Sequence, residues 1–203
     1  MRTRLTTARG FSLAEVTIML MTMSVLTAVM SPAIGDYVND ARHLKAADDV
    51  RVLAVSFSRF LFDARMAGPS DRTWQRYEVL VGEGLAPELG EGGDAAWVRD
   101  IDQSAVGRLD DHLITNTAGY KTAADNPAAM WVRGWRGPYL ASGITPDPWG
   151  YRYAINVGGW STRGAHVVVL SAGPNGRIET PFLRGGPITR GDDVAALVGS
   201  GGL

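Results

Sequence analysis

The stretch from Val16 to Gly35 constrains the fold of this 203-residue chain most, because its twenty residues include no charged side chain. It is rich in Met, Leu, Val and Ile. A helix of that length, rising ~1.5 Å per residue, spans the ~30 Å hydrocarbon core of a bilayer. The preceding residues 1–10 contain three Arg and no acidic residue, and such a basic flank stays in the cytoplasm. The pattern predicts one inner-membrane segment with a cytoplasmic N-terminus.

Two simpler interpretations of this segment are a secretory signal peptide and a plain membrane anchor. The apolar stretch is long for a signal peptide, and no A-x-A-like cleavage site closes it. Glu15 is the only charged residue between Arg9 and Asp36. A carboxylate at the edge of a span is costly unless it finds a partner, so Glu15 is a candidate functional residue.

The junction around Glu15 carries a resemblance to a known family. The hexapeptide Gly10-Phe11-Ser12-Leu13-Ala14-Glu15 resembles the type III signal of type IV pilins and type II secretion pseudopilins. The resemblance implies that a prepilin peptidase cleaves after Gly10 and that Phe11 is then N-methylated. Glu15 and Pro32 would be mature residues five and twenty-two, where the family has its Glu and, commonly, a helix-kinking Pro.

Elementary physics explains what these residues could do. Cleavage would expose an amine on Phe11 at the membrane boundary, and the Glu15 carboxylate can pair with such an amine in its own chain or in a neighbour. In a low dielectric an unpaired charge is costly, so the pair can set the register between packed helices. Pro32 removes a backbone donor and bends or loosens the helix. Both residues are therefore interpreted as assembly residues.

Beyond Gly35 the apolar residues recur at spacings of three and four, which predicts an amphipathic continuation of the helix. We expect this helix to end near Ala67-Gly68-Pro69, with a break at 32–35 as an open alternative. The predicted apolar face consists of Tyr37, Val38, Ala41, Leu44, Ala47, Val50, Leu53, Ala54, Phe57, Phe60 and Leu61.

Residues 69–134 are predicted to be a variable insertion of loops and a few helical turns, which end in a turn at Ala118-Gly119. His112 lies beside Asp110 and Asp111, but no nucleophile accompanies it, so we expect a solvent-facing or capping role. This insertion is longer than the linker of a G-type pseudopilin. It leaves open whether the chain is a standard major subunit or a specialised relative.

The C-terminal third is predicted to form strands and turns. Residues 152–157 alternate between apolar and polar, Gly158-Gly159 favours a turn, and 166–171 is a continuous apolar run typical of a strand buried on both faces. We expect an α+β fold, with a long N-terminal helix whose first half spans the membrane, packed on a small C-terminal antiparallel sheet with long loops.

A second resemblance lies in this C-terminal third. Residues 135–140 (WRGPYL), 146–150 (PDPWG) and Tyr153 resemble a block of the G-type major pseudopilin of type II secretion. Residues 170–176 and 191–194 are similar to the S-x-G-x-D-G and G-x-D-D/N-I segments of that family.

The second resemblance implies a calcium site in the final loop. Carried over by position, Asn175, Asp192 and Asp193 would supply side-chain oxygens and Ala172 a carbonyl, a mixed donor set that suits Ca²⁺. Asn175 stands where the family usually has Asp, and the segment before the Asp pair is longer than usual. The alternative is that Asp192 and Asp193 only cap or solvate a turn. Type IVa pilins usually close this loop with a disulfide, and a chain without Cys could use a metal instead.

Composition argues against several other functions. Twenty Lys and Arg residues against twenty-one Asp and Glu residues give a formal charge of −1, which disfavours a nucleic-acid binder. The chain has no Cys, and its three His lie far apart. There is no G-x-S-x-G, P-loop or H-E-x-x-H sequence, so we do not expect an enzyme.

Together these patterns predict a prepilin leader (1–10), a transmembrane and assembly helix (11–35), its amphipathic continuation (36–68), the insertion (69–134) and a C-terminal sheet with the calcium loop (135–203). The expected protein is a pseudopilus subunit that assembles into a helical filament with other pseudopilins on an inner-membrane secretion platform. It would be single-pass in the bacterial inner membrane with a periplasmic C-terminal domain. The alternatives are a type IV pilus subunit for adhesion, motility or DNA uptake, and a membrane-tethered ligand-binding domain.

Overall fold

The structure is a computed structural model that describes residues 10–64, 77–101, 106–122, 125, 134–158, 166–182 and 189–200. Its contacts divide the chain into two compact units, Met1–Ala41 and Arg42–Leu203. The elements of the described residues are α1 (Leu13–Ala64), β1 (Val79–Val81), β2 (Glu88–Leu89), β3 (Val106–Arg108), α2 (Leu109–Leu113), β4 (Ala154–Ile155), β5 (His166–Ser171), β6 (Arg177–Ile178) and β7 (Val194–Ser200).

Helix α1 is a single 52-residue element that runs through Pro32 without interruption. The alternative of two helices separated at 32–35 is therefore wrong. The described helix ends at Ala64, and the predicted end at 67–69 lies outside the described residues.

The second half of α1 buries one face in the core of the C-terminal unit. This confirms the predicted apolar face from Val50 to Phe60. Tyr37, Val38 and Leu44 were also predicted on that face, but they are exposed because the core covers the helix only from Ala46 onward. The buried residues are Ala46, Val50, Leu53, Ala54, Phe57, Phe60 and Ala64.

The main sheet has five strands in the order β3-β1-β4-β5-β7, and β2 and β6 form a separate parallel pair. Three of the four pairings in the main sheet are antiparallel, but β1 and β3 are parallel, so the sheet is mixed rather than purely antiparallel. Strands β1 and β3 come from the segment predicted as loops and helical turns. Helix α2 and a turn at Ala118-Gly119 lie there as predicted.

Two hydrophobic cores form from alternating residues of the central strands. Leu80, Ile155, Val167 and Val169 pack with the buried face of α1. Their sequence neighbours, among them Val79, Val81, Val168 and Leu170, pack in a second core with Trp97 and Phe182. Successive residues of a strand point to opposite faces, so β5 is buried on both sides, as its continuous apolar sequence predicts. The fold is α+β, and a long N-terminal helix packed on an antiparallel-rich sheet is a pilin-like architecture.

Candidate functional site

The N-terminal segment of α1 exposes nearly all of its apolar surface. From Val16 to Ile34 its large apolar side chains are between 41% and 71% exposed, and Phe11 and Leu13 before them are more exposed still. By length and composition, α1 is the one helix of the described residues that could cross a membrane. This surface needs an apolar solvent or packing partners, because an exposed patch of this size is unfavourable in water.

Four hydroxyl groups of this segment are hydrogen-bonded within the helix. Four Thr and Ser side chains donate to backbone carbonyls three or four residues earlier, at 2.8–2.9 Å. This internal bonding lowers the cost of placing them in hydrocarbon, where water cannot satisfy a polar group. The residues are Thr17, Thr22, Ser24 and Thr27, bonded to Ala14, Met19, Leu20 and Met23.

The start of α1 is closed by a reciprocal cap between Ser12 and Glu15. The backbone N–H of Ser12 donates to Glu15 Oε2 at 2.8 Å, and Ser12 Oγ accepts from the backbone N–H of Ala14 at 3.3 Å. Gly10 and Phe11 precede the helix and are exposed. Sequence reasoning missed this capping role of Glu15, although Ser-x-x-Glu before an apolar run is its usual signature.

The predicted calcium-loop residues lie in two segments that meet beside β6. Ala172 and Asn175 follow β5, and Asp192 and Asp193 precede β7. The structure brings Asn175 and Asp192 together, because the Asn175 N–H donates to Asp192 Oδ2 at 3.2 Å. Ala172 is fully buried at the end of β5.

Asp193 ties the end of β6 to the start of β7. Its Oδ2 accepts hydrogen bonds from Glu179 N at 3.0 Å, Thr180 N at 2.8 Å and Thr180 Oγ1 at 2.6 Å. Burial raises the pKa of Asp193 to about 6, against these hydrogen bonds, and the neighbouring Glu179 carboxylate also raises it. Asp193 therefore holds backbone in place with one oxygen and keeps the other free.

Asn175 uses its side chain inside the loop. Its Oδ1 accepts from the backbone N–H of Arg177 at 2.6 Å, and its Nδ2 donates to Glu179 Oε1 at 3.0 Å. Glu179 is a site residue that sequence reasoning missed. Its position in the longer segment before the Asp pair matches no part of the resembled pattern.

Three carboxylates of this region each retain one buried oxygen without a hydrogen-bond partner: Glu179 Oε2, Asp192 Oδ1 and Asp193 Oδ1. No Lys or Arg of the described residues forms an ion pair with any of them. Buried negative charge without a partner is costly, so the residues present fit a bound cation. Within the described residues no group of three or more His, Asp or Glu side chains is placed to hold a metal ion, so a cation bound here would also need amide or carbonyl oxygens.

Three side chains of the block formed by WRGPYL, PDPWG and Tyr153 contact α1. Tyr139 Oη donates to Asp63 Oδ2 at 3.1 Å, and Tyr153 Oη donates to Asp49 Oδ2 at 2.9 Å. The ring of Trp149 packs edge-on against His43, with 4.9 Å between the centroids. These aromatic side chains therefore contact helix α1 directly.

Asp147 links this block to the segment after β5 that is predicted to bind calcium. Its Oδ1 accepts from the backbone N–H groups of Trp149 and Tyr151, at 3.0 and 2.8 Å. Its Oδ2 accepts from Ser171 Oγ at 2.6 Å, and Ser171 Oγ accepts from Gly173 N at 3.2 Å. A buried carboxylate thus sets the position of the loop that follows β5.

His112 is buried rather than solvent-facing, which corrects the sequence-based expectation. Its Nδ1 lies 2.6 Å from Tyr120 Oη, and Trp135 Nε1 donates to its backbone carbonyl at 2.8 Å. Burial lowers the pKa of His112 to about 4. The residue is therefore a neutral packing element of the core beside Phe60 and Tyr77.

No protein-family model matches the chain, and neither a comparison with curated proteins nor one with solved structures finds a match. The functional interpretation therefore depends on the residues and their geometry.

Proposed function

We propose that this chain is a structural subunit of a type II secretion pseudopilus. The observation that carries the proposal is the position of the Ser12–Glu15 cap, directly after Gly10-Phe11 and directly before a helical segment with exposed apolar side chains. The proposal places the N-terminal half of α1 in the bacterial inner membrane as a single span. The C-terminal unit is then periplasmic, and the chain has no catalytic role.

Processing by a prepilin peptidase between Gly10 and Phe11 would create an amine one residue before Ser12. The Glu15 carboxylate already reaches the Ser12 N–H, which supports an ion pair with that amine or with the amine of a packed neighbour. In a dry environment this pair favours one axial register over others. Repeated from subunit to subunit, it supports self-assembly into a helical filament with other pseudopilins on an inner-membrane secretion platform.

The test of processing is the intact mass and N-terminal sequence of the protein from membranes of cells with and without prepilin peptidase. The proposal expects a chain that starts at N-methylated Phe11 only when the peptidase is present. A chain that starts at Met1 despite active peptidase, or a cut beyond Ile34, would contradict it.

The test of assembly separates the charge of Glu15 from its capping role. Glu15→Gln keeps an oxygen that can accept from the Ser12 N–H but removes the charge, whereas Ser12→Ala removes the capping hydroxyl and keeps the charge. We expect Glu15→Gln to abolish cross-linked multimers while the subunit stays in the membrane, and Ser12→Ala to preserve them. A membrane-tethered ligand-binding domain would tolerate both changes.

The choice of a secretion pseudopilus over a type IV pilus for adhesion, motility or DNA uptake is supported by the 135–153 block and the absence of Cys. The second resemblance is specific to the secretion subunit. Loss of protein export after deletion, with surface pili intact, is the outcome that separates the two.

We further propose that the loop which contains Ala172, Asn175, Asp192 and Asp193 binds Ca²⁺. Bound calcium would neutralise the buried carboxylates, and the unpartnered oxygens of the two Asp residues support this. A cation that binds only the folded chain stabilises it by about 2.7 kcal/mol at a hundredfold excess over the dissociation constant. The melting temperature of the full chain in mild detergent should rise with Ca²⁺ and return to its starting value with a chelator.

A further inference from the structure

Glu179 lies immediately after β6, and the two oxygens of its carboxylate have different surroundings. Oε1 accepts from Asn175 Nδ2 at 3.0 Å, whereas Oε2 is inaccessible to solvent and has no hydrogen-bond partner. A buried carboxylate oxygen of this kind calls for a donor or a cation. Among the described residues no Lys or Arg side chain forms an ion pair with it.

Glu179 and Asp192 converge on the same residue, Asn175. Glu179 Oε1 accepts from its side-chain amide, and Asp192 Oδ2 accepts from its backbone N–H at 3.2 Å. Each carboxylate therefore has one oxygen committed to Asn175 and a second buried oxygen that is uncommitted. Asn175 is a neutral bridge between two negative groups.

The backbone around Glu179 is shaped to let its carboxylate approach the loop. Gly191 has a φ of +60°, and a Cβ there would lie 2.5 Å from Glu179 Oε2. A Cβ on Gly90 would lie 2.7 Å from Glu179 Cγ. The left-handed conformation and the lack of space both require glycine at 191, the residue before Asp192.

We propose that Glu179 and Asp192 are the two carboxylate ligands of the cation, and that Asp193 positions them. Asp193 Oδ2 binds the backbone of Glu179 and Thr180, so it fixes the Glu179 main chain relative to β7. Glu179 places a negative charge directly beside Asn175, whose own side chain is neutral. This inference rests on the calcium loop of the proposed function and is independent of filament assembly.

The experiment is calorimetric titration of CaCl₂ into the full chain in mild detergent. Glu179→Gln keeps the size of the side chain and an acceptor for Asn175 Nδ2, but removes one ligand charge. Because calcium affinity follows the charge count of the ligands, we expect it to weaken binding about tenfold or more. Glu91→Gln is the matched control, since exposed Glu91 lies between two glycines of the same region and should change affinity by less than about twofold.

A thermal melt of the same variants separates a ligand from a structural residue. In chelator, Glu179→Gln should melt at or above the temperature of the parent protein, because it removes repulsion among carboxylates. In Ca²⁺ it should lose most of the increment that the parent protein gains. An equal loss of stability in chelator and in Ca²⁺, or unchanged calcium affinity, would overturn the role of Glu179.

If the parent protein itself binds no Ca²⁺, both the calcium loop and the role of Glu179 are wrong. If the parent protein binds Ca²⁺ and Glu179→Gln binds it equally tightly, the calcium loop is supported but Glu179 is not one of its ligands. The peptidase and assembly tests are unaffected in either case.

Discussion

The two halves of α1 belong to one helix but differ in how much of their apolar surface is buried. In the first half, Leu26 and its large apolar neighbours are exposed around the whole circumference. In the second half, Phe57 and Phe60 are buried on one face, and Arg51 and Arg59 are exposed. Four hydroxyls of the first half bond to carbonyls of the same helix. In the second half, Asp49 accepts a hydrogen bond from Tyr153 and Ser58 donates one to the carbonyl of Val198.

One backbone geometry thus presents two kinds of surface, apolar on all sides in the first half and apolar on one buried face in the second. A helix in hydrocarbon must satisfy its polar groups within itself, whereas a helix on a sheet can exchange hydrogen bonds with other strands and loops. The division between exposed and buried apolar residues at Ala46 thus marks where packing on the sheet takes over.

The largest expected contrast between the halves is in core stability. Phe57→Ala should lower the free energy of unfolding by about 4 kcal/mol, because it removes a buried ring that packs on Phe60. Leu26→Ala should leave that free energy unchanged. Denaturant unfolding followed by Trp fluorescence checks both, and equal effects would show that the two halves are not energetically separate.

A charge placed in each half should sharpen the contrast in membrane preference. Leu26→Arg should disfavour insertion by about 3 kcal/mol, since Arg near the centre of a span is costly. Val52→Arg, at a position about half exposed in the second half, should not affect insertion. An insertion reporter in membranes measures both, and if Leu26→Arg inserts normally, the first half is not the span.

The stability of the core around the second half of α1 should also depend on pH, because His112 packs beside Phe60 in that core. Burial lowers the pKa of His112 from 6.5 to about 4, so between these values the unfolded chain takes up a proton that the folded chain does not. The contribution of His112 to the free energy of unfolding should therefore fall by about 3 kcal/mol as the pH drops through this range, and should stay constant above it.

The matched variant for this test is His112→Gln, which keeps an acceptor for Tyr120. Because the pKa of Asp193 is raised, acidification over an overlapping pH range increases its contribution to the free energy of unfolding. The difference between parent and variant isolates the histidine, and a difference independent of pH would refute its role.

The smallest expected effect concerns a hydroxyl in the exposed half. Thr27→Val removes only a bond to the Met23 carbonyl within the same helix, so it should change insertion or self-association by no more than about 0.6 kcal/mol. A much larger loss of self-association, measured by energy transfer between labelled chains, would mean that Thr27 contacts a neighbouring helix instead.

The sequence was most informative where one local pattern decides the outcome. The uncharged run, the three- and four-residue spacing from Val50 to Phe60, and the apolar run of β5 each predicted the observed element. Strands β1 and β3 were missed because each has three residues, too few to establish a period, and they form only by pairing across the fold. His112 was misjudged because its burial depends on Tyr120 and Trp135.

The candidate site was predicted in part for the same reason. Asn175 and Asp192 do meet, but the relation of Glu179 to them depends on how β6 and β7 are placed, which no short motif encodes. Asp193 has an anchoring role that its position beside Asp192 does not reveal, since both are Asp before a strand. Spacing along the chain could identify the loop, but it could not distinguish the residues that anchor the backbone from those that could bind a cation.

The order of strands in the sheet has a consequence for when the protein can fold. Strand β1 is flanked by β3 and β4, and β5 gains its second neighbour only from β7, which ends at Ser200. The core against α1 includes Val194, Ala196 and Val198 of that last strand. During synthesis the C-terminal unit therefore cannot complete its main sheet, or its core against α1, before β7 has been made.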